Sequence, residues 1–299
     1  MDRLDRRQFL AALAANVAGA RSAMAIVGLG GATACSPSRG SNAAGDVSSQ
    51  RLDRVGLQLY TVRDVLARDF EGTLARIAAI GYRDLEFAGY HGRRPEAVSA
   101  ALGRHGLRAP AAHVPLDALR TQWSATVDAA HVIDHDYIVV PWLDEKERRT
   151  IADYERLAEE FNRLGRNARQ ADLRFAYHNH DFEFTPIDGR VPYDILLDRT
   201  DPENVEFEMD LYWTTKAGHD PVAYFDRYPG RFPLVHVKDS SGAPANRITD
   251  VGSGTIDFKR IFGRRKEAGI QHAFVEHDQP TDAFASIKAS HDYLARLTF

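Results

Sequence analysis

The sequence predicts an α/β protein: a single (β/α)8 TIM barrel preceded by a signal segment and a flexible linker. Three observations predict it. From Arg54 onward, eight short β-forming runs alternate with amphipathic helical stretches. About 250 residues hold those eight units, a usual length for a closed barrel. No Gly-x-Gly-x-x-Gly follows the first run, so an open dinucleotide-binding sheet lacks its fingerprint.

The runs are Val55–Tyr60, Arg83–Phe87, Leu107–His113, Tyr137–Trp142, Leu173–His178, Asn204–Asp210, Phe232–Lys238 and His272–Glu276. Each is bounded by turn-forming or helical residues. Thr73 to Ile80 reads as a helix stopped by Gly81. Ile151 to Ala171 reads as another, with Leu157, Phe161 and Leu164 on one face. The barrel is expected over residues 51–299.

The residues before it read as an address. Asp5-Arg6-Arg7-Gln8-Phe9-Leu10 resembles the bacterial twin-arginine export motif, and a weakly apolar Ala/Gly/Leu/Val stretch runs on to Ala34. The single cysteine, Cys35, ends that stretch in Ala32-Thr33-Ala34-Cys35, which resembles a lipobox. Residues 1–35 are therefore expected to be the signal segment, with Cys35 as a lipidation site, and 36–50 a Ser/Gly/Ala linker. Delivery to the periplasm follows, with membrane contact only through that lipid anchor. One cysteine leaves no internal disulfide and no thiolate zinc site.

The net charge is −4, and the first 35 residues carry +2 of their own, so the body is acidic. An acidic body has no electrostatic attraction to nucleic acid.

Barrel chemistry sits at the C-terminal strand ends. Those positions here are Tyr60, Glu86, His113, Trp142, His178 with His180, Asp210 with Tyr212, His236 with Lys238, and Glu276 with His277. Side chains alternate along a strand. Phe175 and Tyr177 share one face of the fifth run, which leaves His178 and His180 for the barrel mouth. Val205, Phe207 and Met209 alternate with Glu206, Glu208 and Asp210, so the acidic face turns inward. Leu234, His236 and Lys238 share a face. Asp210, His236 and Glu276 then converge from three successive strands. Alone, His236 would more often be a satisfied core histidine, and Glu208 a partner for a lysine. Together the set points to a divalent metal. Oxygen ligands with imidazole suit Mn2+ first, then Mg2+, Co2+ or Zn2+. Tyr60, Glu86, His113, Trp142 and Trp213 would line the substrate site.

Several segments resemble the xylose isomerase-like barrels known as sugar phosphate isomerase/epimerases. They are Val55-Gly56-Leu57-Gln58-Leu59-Tyr60, Glu86-Phe87-Ala88-Gly89-Tyr90, Tyr177-His178-Asn179-His180-Asp181-Phe182-Glu183-Phe184, Met209-Asp210-Leu211-Tyr212-Trp213, His236-Val237-Lys238-Asp239 and Gly252-Ser253-Gly254-Thr255-Ile256-Asp257-Phe258. The resemblance implies a metal held by Glu, Asp, His and Glu from strands five to eight. Asp210, His236 and Glu276 match the last three. His178 stands where the first Glu is expected, so either His178 is the ligand or Glu183 swings in. We take His178 as the ligand, with His180, Glu183, Glu276 and Lys238 as catalytic groups.

The implied activity is a metal-dependent isomerase/epimerase, or a lyase/hydratase, acting on a small sugar, keto-sugar or polyol through an enediolate. Loss of one strand-five glutamate favours the lyase or hydratase. Gly252-Ser253-Gly254 is the one candidate phosphate loop, and export also argues for an unphosphorylated substrate. Two other readings are a sugar-binding lipoprotein without catalysis and an endonuclease IV-like repair enzyme. The retained acid and base groups oppose the first; the acidic body and export motif oppose the second.

Overall fold

The computed structural model describes residues 50–299. The expected signal segment 1–35, its Cys35 and the linker residues 36–49 lie outside the described residues. Gln50, the last linker residue by sequence, belongs to the body. It exchanges backbone hydrogen bonds of 2.9 and 3.0 Å with Phe299 and so joins the two ends of the barrel.

Eight parallel strands close on one another: β1 (Gly56–Gln58), β2 (Asp84–Phe87), β3 (Arg108–His113), β4 (Tyr137–Val140), β5 (Arg174–His178), β6 (Glu206–Asp210), β7 (Leu234–Val237) and β10 (His272–Val275). β1 pairs with both β2 and β10, which closes the barrel. Two short strands, β8 (Asp239–Ser240) and β9 (Ile248–Thr249), form an antiparallel ribbon in the loop after β7. Among the described residues no helix is long and apolar enough to cross a membrane.

Strand alternation divides the apolar residues into two cores. The outward faces, including Phe175, Tyr177, Val205, Phe207 and Met209, pack against the helix layer. The inward faces supply a separate small cluster of Ala111, Tyr137, Val139, Ala176, Leu234 and Phe274. Gly56 makes room in that cluster, because a Cβ there would lie 2.5 Å from the Phe274 ring. The barrel floor is thus filled, and the inward polar residues are left for the other end.

The helix Ile151–Gln170 shows how the outer layer is fixed. Thr150 and Asp153 form a reciprocal capping box at its start. Its buried face is Ile151, Tyr154, Leu157, Ala158, Phe161, Leu164, Gly165 and Ala168, spaced three and four apart. Gly165 lets it approach the loop before β6; a Cβ at that position would sit 2.1 Å from the Asn204 carbonyl oxygen.

Candidate functional site

The inward polar residues gather at the C-terminal strand ends. Registry sets who meets whom: Gln58 lies opposite Glu86, His178 opposite Glu208, and Asp210 opposite His236. Two linked groups result. His113, His178, Glu208 and His236 form one; Asp210, His236 and Glu276 form the other, and within each group the potential ligand atoms lie within 4.8 Å of one another.

His236 joins the two. Its Nδ1 lies 2.8 Å from Glu276 Oε2 and 3.9 Å from Asp210 Oδ2. Its Nε2 lies 2.6 Å from Glu86 Oε2 and 3.1 Å from Glu208 Oε2. His178 divides its nitrogens in the same way. Nδ1 is 3.0 Å from Glu208 Oε2, and Nε2 is 3.9 Å from Asp210 Oδ2. His113 Nε2 donates to Glu208 Oε2 at 2.8 Å. Glu208 thus meets three imidazoles and, among the described residues, forms no ion pair with a lysine.

Lys238 stands over the acidic end. Its Nζ lies 3.0 Å from Asp210 Oδ2, 2.7 Å from Glu276 Oε2 and 2.9 Å from Asp278 Oδ1. Asp278 is a neighbour that the sequence reading missed, because it lies in the loop beyond the eighth run. Asp210 also caps the following helical turn, with Oδ1 accepting from the Trp213 N–H at 2.9 Å. Its Oδ2 makes no well-directed hydrogen bond, despite the nearby ammonium.

These charges set one another. Burial lifts Glu86 to about 7, and repulsion from Glu208 adds to the effect. Burial also lifts Asp210, with Lys238 opposing, to about 6. Burial would raise Glu208, but the attraction of His236 and hydrogen bonds from three imidazoles outweigh it and hold the carboxyl well below its usual range. Burial, reinforced by His236, pulls His178 down to about 3. For Lys238 burial is overcome by Asp210, Asp278 and Glu276, which keep the ammonium firmly charged.

Aromatic residues form a wall beside this set. The His180 ring packs edge-on against Trp142 at 4.6 Å, lies 5.5 Å from Trp213 and stacks on Phe182 at 5.8 Å between ring centres. Arg148 lies over Phe182 and Lys216 over Trp213. Burial drives His180 well below its usual range, so its imidazole is neutral. Its Nδ1 is buried without a hydrogen-bond partner among the described residues, as are Trp213 Nε1 and one carboxylate oxygen each of Glu86 and Glu208.

Some expected site residues are placed differently. Glu183 is fully buried, with one oxygen accepting from the Tyr177 hydroxyl and the other from the His180 N–H at 2.9 Å. Tyr177 belongs to the helix-facing core, so Glu183 braces the end of β5 from behind. It neither swings to the metal position nor stands free for proton transfer. Glu86 is also fully buried, held by Gln58 Nε2 at 2.7 Å, and supports His236 instead of facing the mouth. His113 likewise belongs to the Glu208 group. Tyr60 sits in a 3-10 turn, Leu59–Val62, with the Arg63 guanidinium over its ring.

The Gly252–Gly254 loop is no open phosphate cradle. Asp239 fills it: Oδ2 accepts from the N–H groups of Gly252 and Gly254, both at 2.9 Å, and Oδ1 from Ile256 at 3.1 Å and Ser240 at 2.8 Å. The glycine is required there, since a Cβ on Gly254 would lie 2.3 Å from Asp239 Oδ1.

Fold and site together define a closed α/β barrel with its acids and imidazoles at the C-terminal mouth. The chain belongs to the xylose isomerase-like TIM barrel family, whose model matches residues 74–297. A curated relative, inosose dehydratase from Lacticaseibacillus casei, is 31% identical over 142 residues, 42% of this chain and 47% of that protein. The chain therefore spans about half the length of that relative. The inosose dehydratase of Geobacillus thermodenitrificans is 24% identical over 253 residues, covering 73% of this chain and 84% of that protein. A solved sugar phosphate isomerase/epimerase from Parabacteroides distasonis superposes with a TM-score of 0.70 at 28% identity, covering 85% of this chain and 98% of the other.

Proposed function

We propose that this chain is an exported, divalent-metal-dependent lyase of the dehydratase type acting on an unphosphorylated keto-sugar or keto-polyol. One observation carries the proposal: Asp210, His236 and Glu276 converge from neighbouring strands, and Asp210 Oδ2 is buried without a well-directed hydrogen bond. A cation fits such an atom. His178 Nε2, Asp210, His236 Nδ1 and Glu276 would hold it, and two carboxylates with two imidazoles suit Mn2+, Co2+ or Zn2+. When bound, the ion supplies Lewis-acid stabilisation of the negative charge that develops on a substrate carbonyl oxygen.

The chain's own groups do the remaining work. Lys238, held charged by three carboxylates, donates hydrogen bonds and does not act as a base. Neutral His180 is the acid–base group. It takes the proton from the carbon beside the ketone and returns it to the hydroxyl leaving the next carbon. The C–H and C–O bonds break, a carbon–carbon double bond forms, and water departs. Trp142, Phe182 and Trp213 shield this exchange and offer apolar faces to sugar C–H groups. Glu183 is engaged by Tyr177 and the His180 N–H and is not free to act as a second base, which disfavours a symmetric two-base epimerisation. Asp239 in the glycine loop supports a substrate without a phosphate at that place. The named activity of the curated relatives is of the same dehydrating kind.

A second reading is an isomerase/epimerase, favoured by the Parabacteroides structure. The test is incubation of the metal-loaded protein with keto-polyols and keto-sugars in D2O. The proposal expects loss of water from the substrate, abolished in His180→Ala. Deuterium exchange with isomerised product and no loss of water would establish the second reading. Neither reaction across the panel would sink both.

A further inference from the structure

Both histidines at the candidate metal position turn one nitrogen to the same buried oxygen. Glu208 Oε2 lies 3.0 Å from His178 Nδ1 and 3.1 Å from His236 Nε2. The opposite nitrogens, His178 Nε2 and His236 Nδ1, are each 3.9 Å from Asp210 Oδ2. We infer that Glu208 is a positioning residue that fixes the tautomer and ring orientation of His178, so that its Nε2 presents a lone pair toward Asp210.

The argument starts from strand order. β6 lies between β5 and β7, and each neighbour carries one of the histidines. Glu208 is one inward position before Asp210, so a single strand supplies the metal-facing acid and the acid behind the rings. A carboxylate oxygen only accepts hydrogen bonds. On His178 the nitrogen facing it, Nδ1, therefore holds the hydrogen, and Nε2 is left with the lone pair that a metal requires. Glu208 Oε2 is engaged by His113, His178 and His236, so the residue acts through the histidines. His236 is held from both sides, Nε2 by Glu86 at 2.6 Å and Nδ1 by Glu276 at 2.8 Å, whereas His178 has Glu208 alone at its Nδ1. His178 is also the residue that departs from the strand-five glutamate of the family resemblance. An imidazole ligand needs an orienting acceptor behind it, and Glu208 supplies one.

This inference rests on the metal reading above, and the experiment separates the two. The metal-depleted protein is titrated with Co2+, following the visible spectrum and the bound metal per chain, for wild type, Asp210→Ala and Glu208→Gln. Wild type is expected to take one ion, Asp210→Ala to lose it, and Glu208→Gln to keep one ion with affinity weaker by about 10–100-fold and an altered spectrum. Wild-type affinity and spectrum in Glu208→Gln, with Asp210→Ala empty, would overturn the positioning role and leave the metal reading standing. No ion in wild type would overturn both. Two ions in wild type, one of them lost with Glu208, would make Glu208 a ligand. Should Glu208→Gln not fold, long-range 1H–15N spectra of zinc-loaded wild type decide. Hydrogen on His178 Nδ1 supports the inference, and hydrogen on its Nε2 overturns it.

Discussion

Asp239→Ala tests the account of the glycine loop. The carboxylate accepts four backbone N–H groups, from Ser240, Gly252, Gly254 and Ile256. Hydrogen bonds to a charged group contribute about 1.5–3 kcal/mol each, but only where water cannot replace the acceptor. Gly252 is exposed and Gly254 half-buried, so those two N–H groups re-solvate at small cost. The bonds from Ser240 and Ile256 are buried. Counting chiefly those two gives a loss of about 3–5 kcal/mol. In a domain of this size that lowers Tm by about 5–15 °C. Asp239→Asn should do little better. It keeps one acceptor oxygen but turns an NH2 group toward two N–H donors. The assay is urea and thermal unfolding of the three proteins with an unchanged m-value. Wild-type stability in either variant would refute the claim that this carboxylate anchors the loop in the place of a bound anion.

Glu183 gives a pH signature. Its carboxyl is lifted by burial from 4.5 to about 8 in the folded protein. Between those values the folded state binds the extra proton, so this group's contribution is full below about 4.5, falls as pH rises, and is lost above about 8. Glu183→Gln should flatten the fall, seen as denaturation midpoints across that window; an identical pH profile in the variant would contradict the placement. Gly165→Ala sets helix propensity against packing. Alanine gains about 1 kcal/mol in a helix, but its Cβ would meet the Asn204 carbonyl at 2.1 Å. Strain should win, with a net loss of about 1–3 kcal/mol in equilibrium unfolding; a more stable variant would show that the helix can shift.

Much of the barrel was legible because two periods coexist in the chain. The run Val205 to Asp210 alternates apolar and acidic residues, and that parity alone turns Glu206, Glu208 and Asp210 inward. The same rule takes His178 and His236 to the inward face. What parity cannot give is which nitrogen of an imidazole faces which acid. Glu208, whose spacing of two from Asp210 places it on the same inward face, therefore shows no role behind the imidazoles in sequence. Loops hid the rest. Glu183 follows β5 in a 3-10 turn, Phe182–Phe184, where strand parity has ended, and the turn sends its carboxylate back to Tyr177. Asp239 opens β8 and pairs with Thr249 of β9, so the ribbon folds the chain back to set Gly252 to Gly254 beside it, and two-residue strands do not announce that in sequence. Asp278, in the loop beyond β10, meets Lys238 for the same non-periodic reason.

The central claim is that Asp210, His236 and Glu276, with His178, form a divalent-metal centre. Metal analysis of the purified full chain, before and after titration with Mn2+, Co2+ and Zn2+, tests it most directly. The account predicts one ion per chain in wild type and loss of most of it in Asp210→Ala, His236→Ala and Glu276→Ala. Those variants should keep wild-type circular dichroism, because the barrel floor of Tyr137, Leu234 and Phe274 and the helix-facing core are untouched. A wild-type protein that carries no stoichiometric ion and gains none on titration would contradict it.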